Sequence, residues 1–306
     1  MKPRADIRGY QQLDAVDLDH IKRADHFADR HVRPNAAAWE RQRQPGLPRD
    51  VVQAFVDAGL MATNVPLAHG GGGASFLAKI GIVEVLARHC LPSSFALCNL
   101  INGPLRLVRD GTPDQARRYL PGLMSGKQII ALALTEPQSG SDFGAIKTAA
   151  HRVANGWRLS GEKAWVTHAP ISDFCIVYAQ TDPALKAKGI GSFIVDLRAE
   201  GCTVSAPYEV ETGSVIGAAT LKLDDCFVPD ADVFQPPGQA FARALSSINA
   251  ARTHVAAMCC GMVGEALGVA IDYGRNRRAF GKPVVEHQGL RWSIADIAPG
   301  SNALAS

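Results

Sequence analysis

The chain has 306 residues, 47% of them apolar and 20% charged, and a formal net charge of +3 at neutral pH. That length is enough to bury a substantial core, and the proportions are those of a globular protein rather than a disordered or fibrous one. The small charge and scattered basic residues, with short clusters such as Arg275-Asn276-Arg277-Arg278, exclude a nucleic-acid binder that works by charge alone.

The N-terminus, MKPRADIRGY, is polar and has no apolar stretch of the kind a signal peptide needs. Residues 1–127 read as helices joined by short loops. In "RDVVQAFVDAGL", Val51, Val52, Phe55, Val56 and Leu60 fall at helical spacing, with Gly59 near the end. The loop "AHGGGGAS" is glycine-rich. A phosphate cradle would need a strand before it and a Lys-Ser/Thr pair after it, so a plain turn is expected. In "GTPDQARRYLPGL", Thr112, Pro113 and Gln115 predict a capping box with proline in the first helical position.

From residue 128 to 240 the pattern changes to strands. "QIIALAL" is a short apolar run, and Asn155-Gly156 between alternating positions is a strong hairpin signal. "DFCIVYAQ", "GSFIVDL" and "ATLKLDDCFVP" follow, making about six strands, enough for a small antiparallel barrel or sandwich. From 241 to 306 the pattern is helical again, with one long apolar helix expected over about 240–276 and another starting in "VVEHQGLRWSIADIA". Its stretch 255–271 resembles a membrane span in hydropathy, but Glu265 interrupts it, so a buried core helix is expected. The fold class is therefore α+β, in the order helical, β, helical. The seven cysteines form no C-x-x-C pair, which points to reduced thiols in a cytoplasmic protein and to no metal site.

The chemistry concentrates in "ALTEPQSGSDFGAIKT" (133–148), where an apolar strand opens into a loop with Gly140, Ser141 and Gly144. Small residues there let backbone N–H groups approach an anion. On its own, such a loop is equally an ordinary turn. Read alone, Trp165 and Thr167 in "WVTHAP" favour a strand end packing on its neighbour, and Arg277/Arg278 favour a solvated helix face.

"LTEPQSGSD", "SGEKAWVTHAPISDF", "LDDCFVPDADVF" and "RNRRAFGKPVVEHQGLRWSIAD" occur in this order. Together they resemble the acyl-CoA dehydrogenase family, whose members carry T-E-P-x-x-G-S-D, G-x-K-x-W-I-T-N, a V-P loop and R-x-F-G-x-P…Q. "LPRDVVQAFVDAGLMATNVPLAHGGGG" and "GTPDQARRYLPGLMSG" look like the family's first domain. The resemblance implies an N-terminal helical domain, a middle β-domain and a C-terminal helical bundle, with FAD between the last two. It implies that Leu134 and Thr135 hydrogen-bond the flavin's pyrimidine edge, largely through backbone groups. Ser141 would lie beside the FAD pyrophosphate and the mouth of the thioester site. Trp165 would cover the ring and the Thr167 hydroxyl would reach N5. Arg277 and Phe280 would grip FAD from a neighbouring subunit, Gln288 would touch its adenosine part, and Arg252 would adjoin the substrate.

The implied reaction is α,β-dehydrogenation of an acyl-CoA or acyl-carrier thioester, with electrons passed to an electron-transfer flavoprotein. The implied assembly is a homodimer, a homotetramer or a pair with a complementary subunit, with neither nucleic acid nor membrane as partner. Several positions depart from the family. The base is a glutamate in a late Glu-Gly-Thr segment or immediately before the residue matching Arg252, and here that second position is Ala251. Pro299-Gly300 is expected to break the last helix, and the end of the chain suggests a missing part of the bundle, which would leave apolar faces of the 240–276 helix uncovered. His168 stands for the usual asparagine, and "EVETGSVIGAAT" lacks the usual Arg-Gly-Ser. Two further readings therefore stand beside the dehydrogenase: a non-catalytic fragment or subunit, and an oxidase of a carrier-tethered acyl or aminoacyl group.

Overall fold

The structure is a computed structural model that describes the backbone of residues 13–303 and the side chains of 13–298. The helices are α1 (Ala15–Phe27), α2 (Ala36–Arg41), α3 (Arg49–Asp57), α4 (Phe76–His89), α5 (Leu91–Asp110), α6 (Pro113–Met124), α7 (Ala240–Asn276) and α8 (Gln288–Ala303). The strands are β1 (Ile130–Ala133), β2 (Ala149–Val153), β3 (Gly156–Val166), β4 (Phe174–Gln180), β5 (Ile190–Asp196), β6 (Cys202–Val204), β7 (Ala219–Pro229) and β8 (Val233–Gln235), followed by a small hairpin, β9 (Arg278–Ala279) and β10 (Lys282–Pro283). The chain divides into two compact units. A helical unit draws on the chain up to Ala36, on Ala74–Phe95 and on the chain from Ala251, while a sheet unit is built from Ala37–Gly73 and Ala96–Ala250.

In the helical unit, α1 packs on α4. Asp14 caps α1 by accepting from the Asp17 N–H at 2.8 Å, and the Ser75 hydroxyl caps α4 by accepting from the Ala78 N–H. The two caps are joined, because Ser75 donates to the Asp17 carboxylate through both its N–H and its hydroxyl. These side chains satisfy donors that the first turn of a helix leaves unpaired. α7 approaches α4 closely at Gly261, where a Cβ would lie 2.1 Å from the Glu84 carbonyl oxygen.

Two expectations for this unit are corrected. Of the most apolar 18-residue window of α7, long and apolar enough by length and composition to cross a membrane, only 28% is buried. Val255, Met262, Val269 and Tyr273 are exposed, so the buried core helix read from hydropathy is not found; composition reports how apolar a helix is, not what covers it. And α8 runs through positions 299 and 300 to Ala303. A proline removes one N–H and crowds the preceding turn, which kinks a helix without always ending it.

In the sheet unit the strands run in the order β6-β7-β3-β2-β4-β5-β8, with β1 also paired to β4. The hairpin expected at Asn155-Gly156 joins β2 to β3, with Asn155 at φ +60°. The sheet is not purely antiparallel, because β1 pairs with β4 in parallel from Ile130↔Phe174 to Ala133↔Val177. The long excursion through β2 and β3 between those strands supplies the crossover that parallel pairing needs. The three-residue strands β6 and β8 were too short to read from sequence.

β4 is buried from end to end. Cys175, Val177 and Ala179 enter a core with β3 and β7 on one face. Phe174, Ile176 and Tyr178 enter a second core on the other face, with Leu107 of α5, Leu123 of α6 and Ala240 and Ala244 of α7. A period of two with both faces covered reads in sequence as a continuous apolar run, as "DFCIVYAQ" does. The capping box on α6 is present, with reciprocal bonds between Thr112 and Gln115. The glycine loop is a turn: the N–H groups of Gly71, Gly72 and Gly73 bond to the carbonyls of Pro66, Ala62 and Val65, and so are not offered to a phosphate.

Candidate functional site

The TEP and GEK segments meet in the sheet unit through a buried ion pair that sequence reasoning missed. Glu136 follows β1 and Lys163 lies on β3; their side chains are 2% and 0% exposed, with Nζ 2.8 Å from Oε1. Glu136 also accepts from the N–H groups of Lys147 (2.6 Å) and Thr148 (2.9 Å) and from the Gln138 amide. Lys163 reaches the Leu134 carbonyl at 3.2 Å, and the Thr135 carbonyl accepts from the Ala164 N–H at 2.9 Å. Burial alone would raise the Glu136 pKa, but the ammonium and the converging N–H groups outweigh it and hold the carboxyl down to about 2. Burial depresses the Lys163 ammonium below the usual lysine range, with Glu136 offsetting part of that. The pair therefore works as a brace, and a carboxylate held this far below neutrality is unsuited to general-base work.

Beyond the brace, the pairing of β3 with β7 is irregular between Lys163 and Val166. Trp165 sits there at φ +57°, in the left-handed region that a bulky residue rarely adopts. The bulge lets Val166 point into the core while Trp165 is 58% exposed, its ring 4.3 Å from that of Tyr208. Trp165 is thus no core residue, although its ring packs on that of Tyr208. Thr167 beside it is half-buried. His168, also left-handed at φ +65°, turns its ring inward to the Ala96 carbonyl on α5, with Nε2 2.8 Å away. An acceptor there assigns the proton to Nε2, and burial pushes the imidazole pKa down to about 4, so the ring is neutral. In the TEP loop, Ser139 bonds the Asp142 carbonyl while Ser141 is exposed. A Cβ on Gly140 would meet nothing within 4 Å.

Leu134, Thr135, Ser141, Trp165 and Thr167 all belong to the sheet unit, where the Thr135–Ala164 bond sets the TEP segment beside the one that carries Trp165 and Thr167. The other sequence-derived residues belong to the helical unit. Arg277 and Phe280 lie at the β9–β10 hairpin, where the Arg277 carbonyl accepts from the Val284 N–H; Phe280 is 96% exposed at the turn with φ +50°. Gln288 opens α8, and Ala251 and Arg252 lie exposed on α7. Ala251 offers no carboxylate. A signal for the brace did exist in the sequence: a glutamate and a lysine at fixed places in two apolar, strand-bordering motifs, where charges stay only if paired.

Three acyl-CoA dehydrogenase models match the chain: the N-terminal domain over residues 19–127, the middle domain over 131–226 and the C-terminal domain over 238–306. The chain is 32% identical over 275 residues to the mitochondrial short-chain specific acyl-CoA dehydrogenase of Sus scrofa, covering 89% of this chain and 66% of that protein. It is 32% identical over 287 residues to the 3-(aryl)acrylate reductase of Clostridium sporogenes (strain ATCC 15579), covering 92% and 74%. Its fold matches the FAD complex of PigA with a TM-score of 0.89 at 25% identity, over 96% of this chain and 78% of that one. The chain belongs to the acyl-CoA dehydrogenase family. It spans about two thirds of the length of the short-chain specific enzyme, 66%.

Proposed function

We propose that the chain is the FAD-binding part of an enzyme that interconverts an acyl thioester and its 2,3-enoyl thioester, with a flavoprotein as electron partner. The observation that carries this reading is Trp165, an exposed indole on a strained bulge two residues past Lys163, whose buried ammonium bonds Glu136 and the Leu134 carbonyl. Strain of this kind persists where the surrounding structure over-determines it.

The wall formed by the TEP segment and its neighbour fits a planar ring with a polar edge. The carbonyls of Leu134 and Thr135 are engaged inside the protein, so contacts from this stretch come from its N–H groups and the Thr135 hydroxyl. Trp165 lies over the ring, Thr167 orients its edge, and the open Gly140-Ser141 turn receives pyrophosphate and thioester. When bound, the flavin takes up or gives back the hydride at Cβ. The α-proton needs a carboxylate whose pKa approaches the working pH, and neither Glu136 nor position 251 provides one. The alternative reading is a second arrangement, in which this chain binds the cofactor and a complementary chain supplies that carboxylate. The substrate role of Arg252 is the one the family resemblance implies. Arg277, the exposed Phe280 and Gln288 reach the cofactor of a neighbouring copy in a homodimer or homotetramer. The setting proposed is the cytoplasm, where the seven cysteines, all free, stay reduced.

Purified protein is expected to be yellow, with flavin absorbance that Lys163→Met diminishes. Anaerobic bleaching by an acyl-CoA supports the complete reaction, and retention of flavin without bleaching supports the two-chain arrangement. A colourless, folded protein that takes up no added FAD refutes both.

A further inference from the structure

The segment from Ser205 to Ala218 joins β6 to β7 and carries the departure from the family's Arg-Gly-Ser pattern. A connection of this length with no strand or α-helix of its own is uncommon, and where it is ordered it commonly serves a site. This one is fastened at its ends and in its middle. The Ser205 N–H donates to the Thr220 carbonyl at 2.9 Å, and the Ser205 hydroxyl accepts from the Thr220 N–H at 3.1 Å. The Gly213 N–H donates to both oxygens of Glu40 on α2, each at 3.0 Å, and the Ser214 hydroxyl donates to the Trp39 carbonyl at 3.4 Å. Gly217, at φ +63°, lies so close to the loop after α2 that a Cβ would stand 2.9 Å from the Gly46 Cα. The Ile216 carbonyl accepts from the His168 N–H at 3.4 Å, which ties the segment to the turn just past Thr167.

These bonds hold Tyr208 against Trp165. The Tyr208 N–H donates to the Ala218 carbonyl at 2.9 Å, and its hydroxyl lies 2.5 Å from that of Thr220, so backbone and phenol are both anchored. The ring centroid is 4.3 Å from that of Trp165, with the two planes at 41°. Rings this close are in contact, and the contact occupies one side of the indole while Trp165 stays 58% exposed. An exposed side chain without such a neighbour samples several staggered rotamers, and ordering it when a ligand binds costs affinity. A fixed neighbour removes that cost beforehand.

We propose that Tyr208 is a positioning residue, which holds the Trp165 indole in the orientation that covers the flavin ring. The assignment rests on the role given to Trp165 above, and it goes further in making the segment from Ser205 to Ala218 part of the cofactor site. Tyr208 acts on the flavin through Trp165 and need not touch it.

The test is a double-mutant cycle on FAD affinity, read by equilibrium titration of FAD into the full chain stripped of flavin. An aromatic pair is worth roughly two- to ten-fold in an equilibrium constant, so Tyr208→Leu should weaken FAD binding by about that factor. The same change in a Trp165→Leu background should have no further effect, because the ring it acts through is gone. Tyr208→Phe, which loses only the contact with Thr220, should keep most of the affinity. Tyr208→Gln takes the place of Tyr208→Leu if circular dichroism shows the latter unfolded. Unchanged affinity in Tyr208→Leu, with a loss in Trp165→Leu, overturns the inference and leaves the flavin reading intact. An equal loss from Tyr208→Leu in both backgrounds also overturns it, since Tyr208 then acts without Trp165. If Trp165→Leu leaves the affinity unchanged, or the unaltered chain binds no FAD, the role of Trp165 falls and the inference falls with it.

Discussion

The wall around Trp165 and the pair of helices α7 and α8 carry motifs of one family, yet they are held in opposite ways. At the wall, each exposed group rests on buried polar bonding: Trp165 follows Lys163, and Lys163 is locked to Glu136 and to Leu134. On α7 and α8 the exposed residues are large and apolar, among them Tyr273 and Trp292, and the two helices border a groove of about 730 Å³ lined by side chains such as Leu267, Ala270, Val285 and Ile294. Polar bonding completes a site internally, because donors and acceptors find each other within the chain. An apolar face has no such closure, and its burial depends on what lies against it. The wall should therefore respond to substitution through stability, and the helix pair through association.

The largest effect is expected at the brace. Lys163→Met leaves the Glu136 carboxylate buried without its cation, and breaking a buried pair in this way costs about 3–5 kcal/mol. Urea unfolding measures it, and a loss below about 1 kcal/mol would show that water reaches the pair. The pH dependence has a definite sign. The folded carboxyl is held to about 2 against an ordinary 4.5, so its stabilisation is complete above 4.5 and disappears as the pH falls from 4.5 toward 2. Glu136→Gln should remove that part of the acid sensitivity.

A smaller effect is expected from His254 on α7, which is buried against Phe76 with neither ring nitrogen hydrogen-bonded among the described residues. Burial first, and the Lys79 charge second, push its pKa down to about 3. Below pH 6.5 the unfolded chain takes up a proton that the folded chain refuses, so stability falls as the pH drops from 6.5 toward 3. His254→Leu should gain about 1–3 kcal/mol by removing an unsatisfied polar group, with the advantage over the parent growing between pH 7 and pH 5. A thermal-melt series across that range would show it, and a constant difference would place the imidazole in contact with water.

Much of this was legible in sequence where a local rule acts alone. The Thr112 capping box, the Asn155-Gly156 hairpin and the length of α7 each depend on a few adjacent residues. The residues proposed for the site could be named from their motifs, but not the brace behind them, since Glu136 and Lys163 are 27 residues apart and only the sheet brings them together. The bulge at Trp165 was invisible for the same reason: it depends on pairing with β7, which β3 meets far along the chain. For α7 the sequence carries two readings: hydropathy predicts a buried core helix, which is not found, and a missing part of the bundle predicts uncovered apolar faces, which are.

A smaller change still is expected where a side chain touches only local backbone. Thr112→Ala removes the cap of α6 and should cost about 1 kcal/mol, read from the midpoint of urea unfolding. A loss well under that would mean the Gln115 half of the box holds the helix end unaided.

The smallest effect on stability is expected on α7, and it separates the two regions most clearly. Val269 is 57% exposed, so Val269→Lys removes little buried surface and introduces a charge that water solvates. The melting transition should move by no more than about 0.5 kcal/mol in stability. Self-association should change far more, because a cation in an apolar face opposes its burial against any second apolar surface. Sedimentation across a concentration series would show the variant shifted toward the monomer while its flavin content is unchanged. If association persists undiminished, the face containing Val269 is not what copies of the chain bury. If the melt falls by several kcal/mol instead, α7 is held from within and the contrast with the wall disappears.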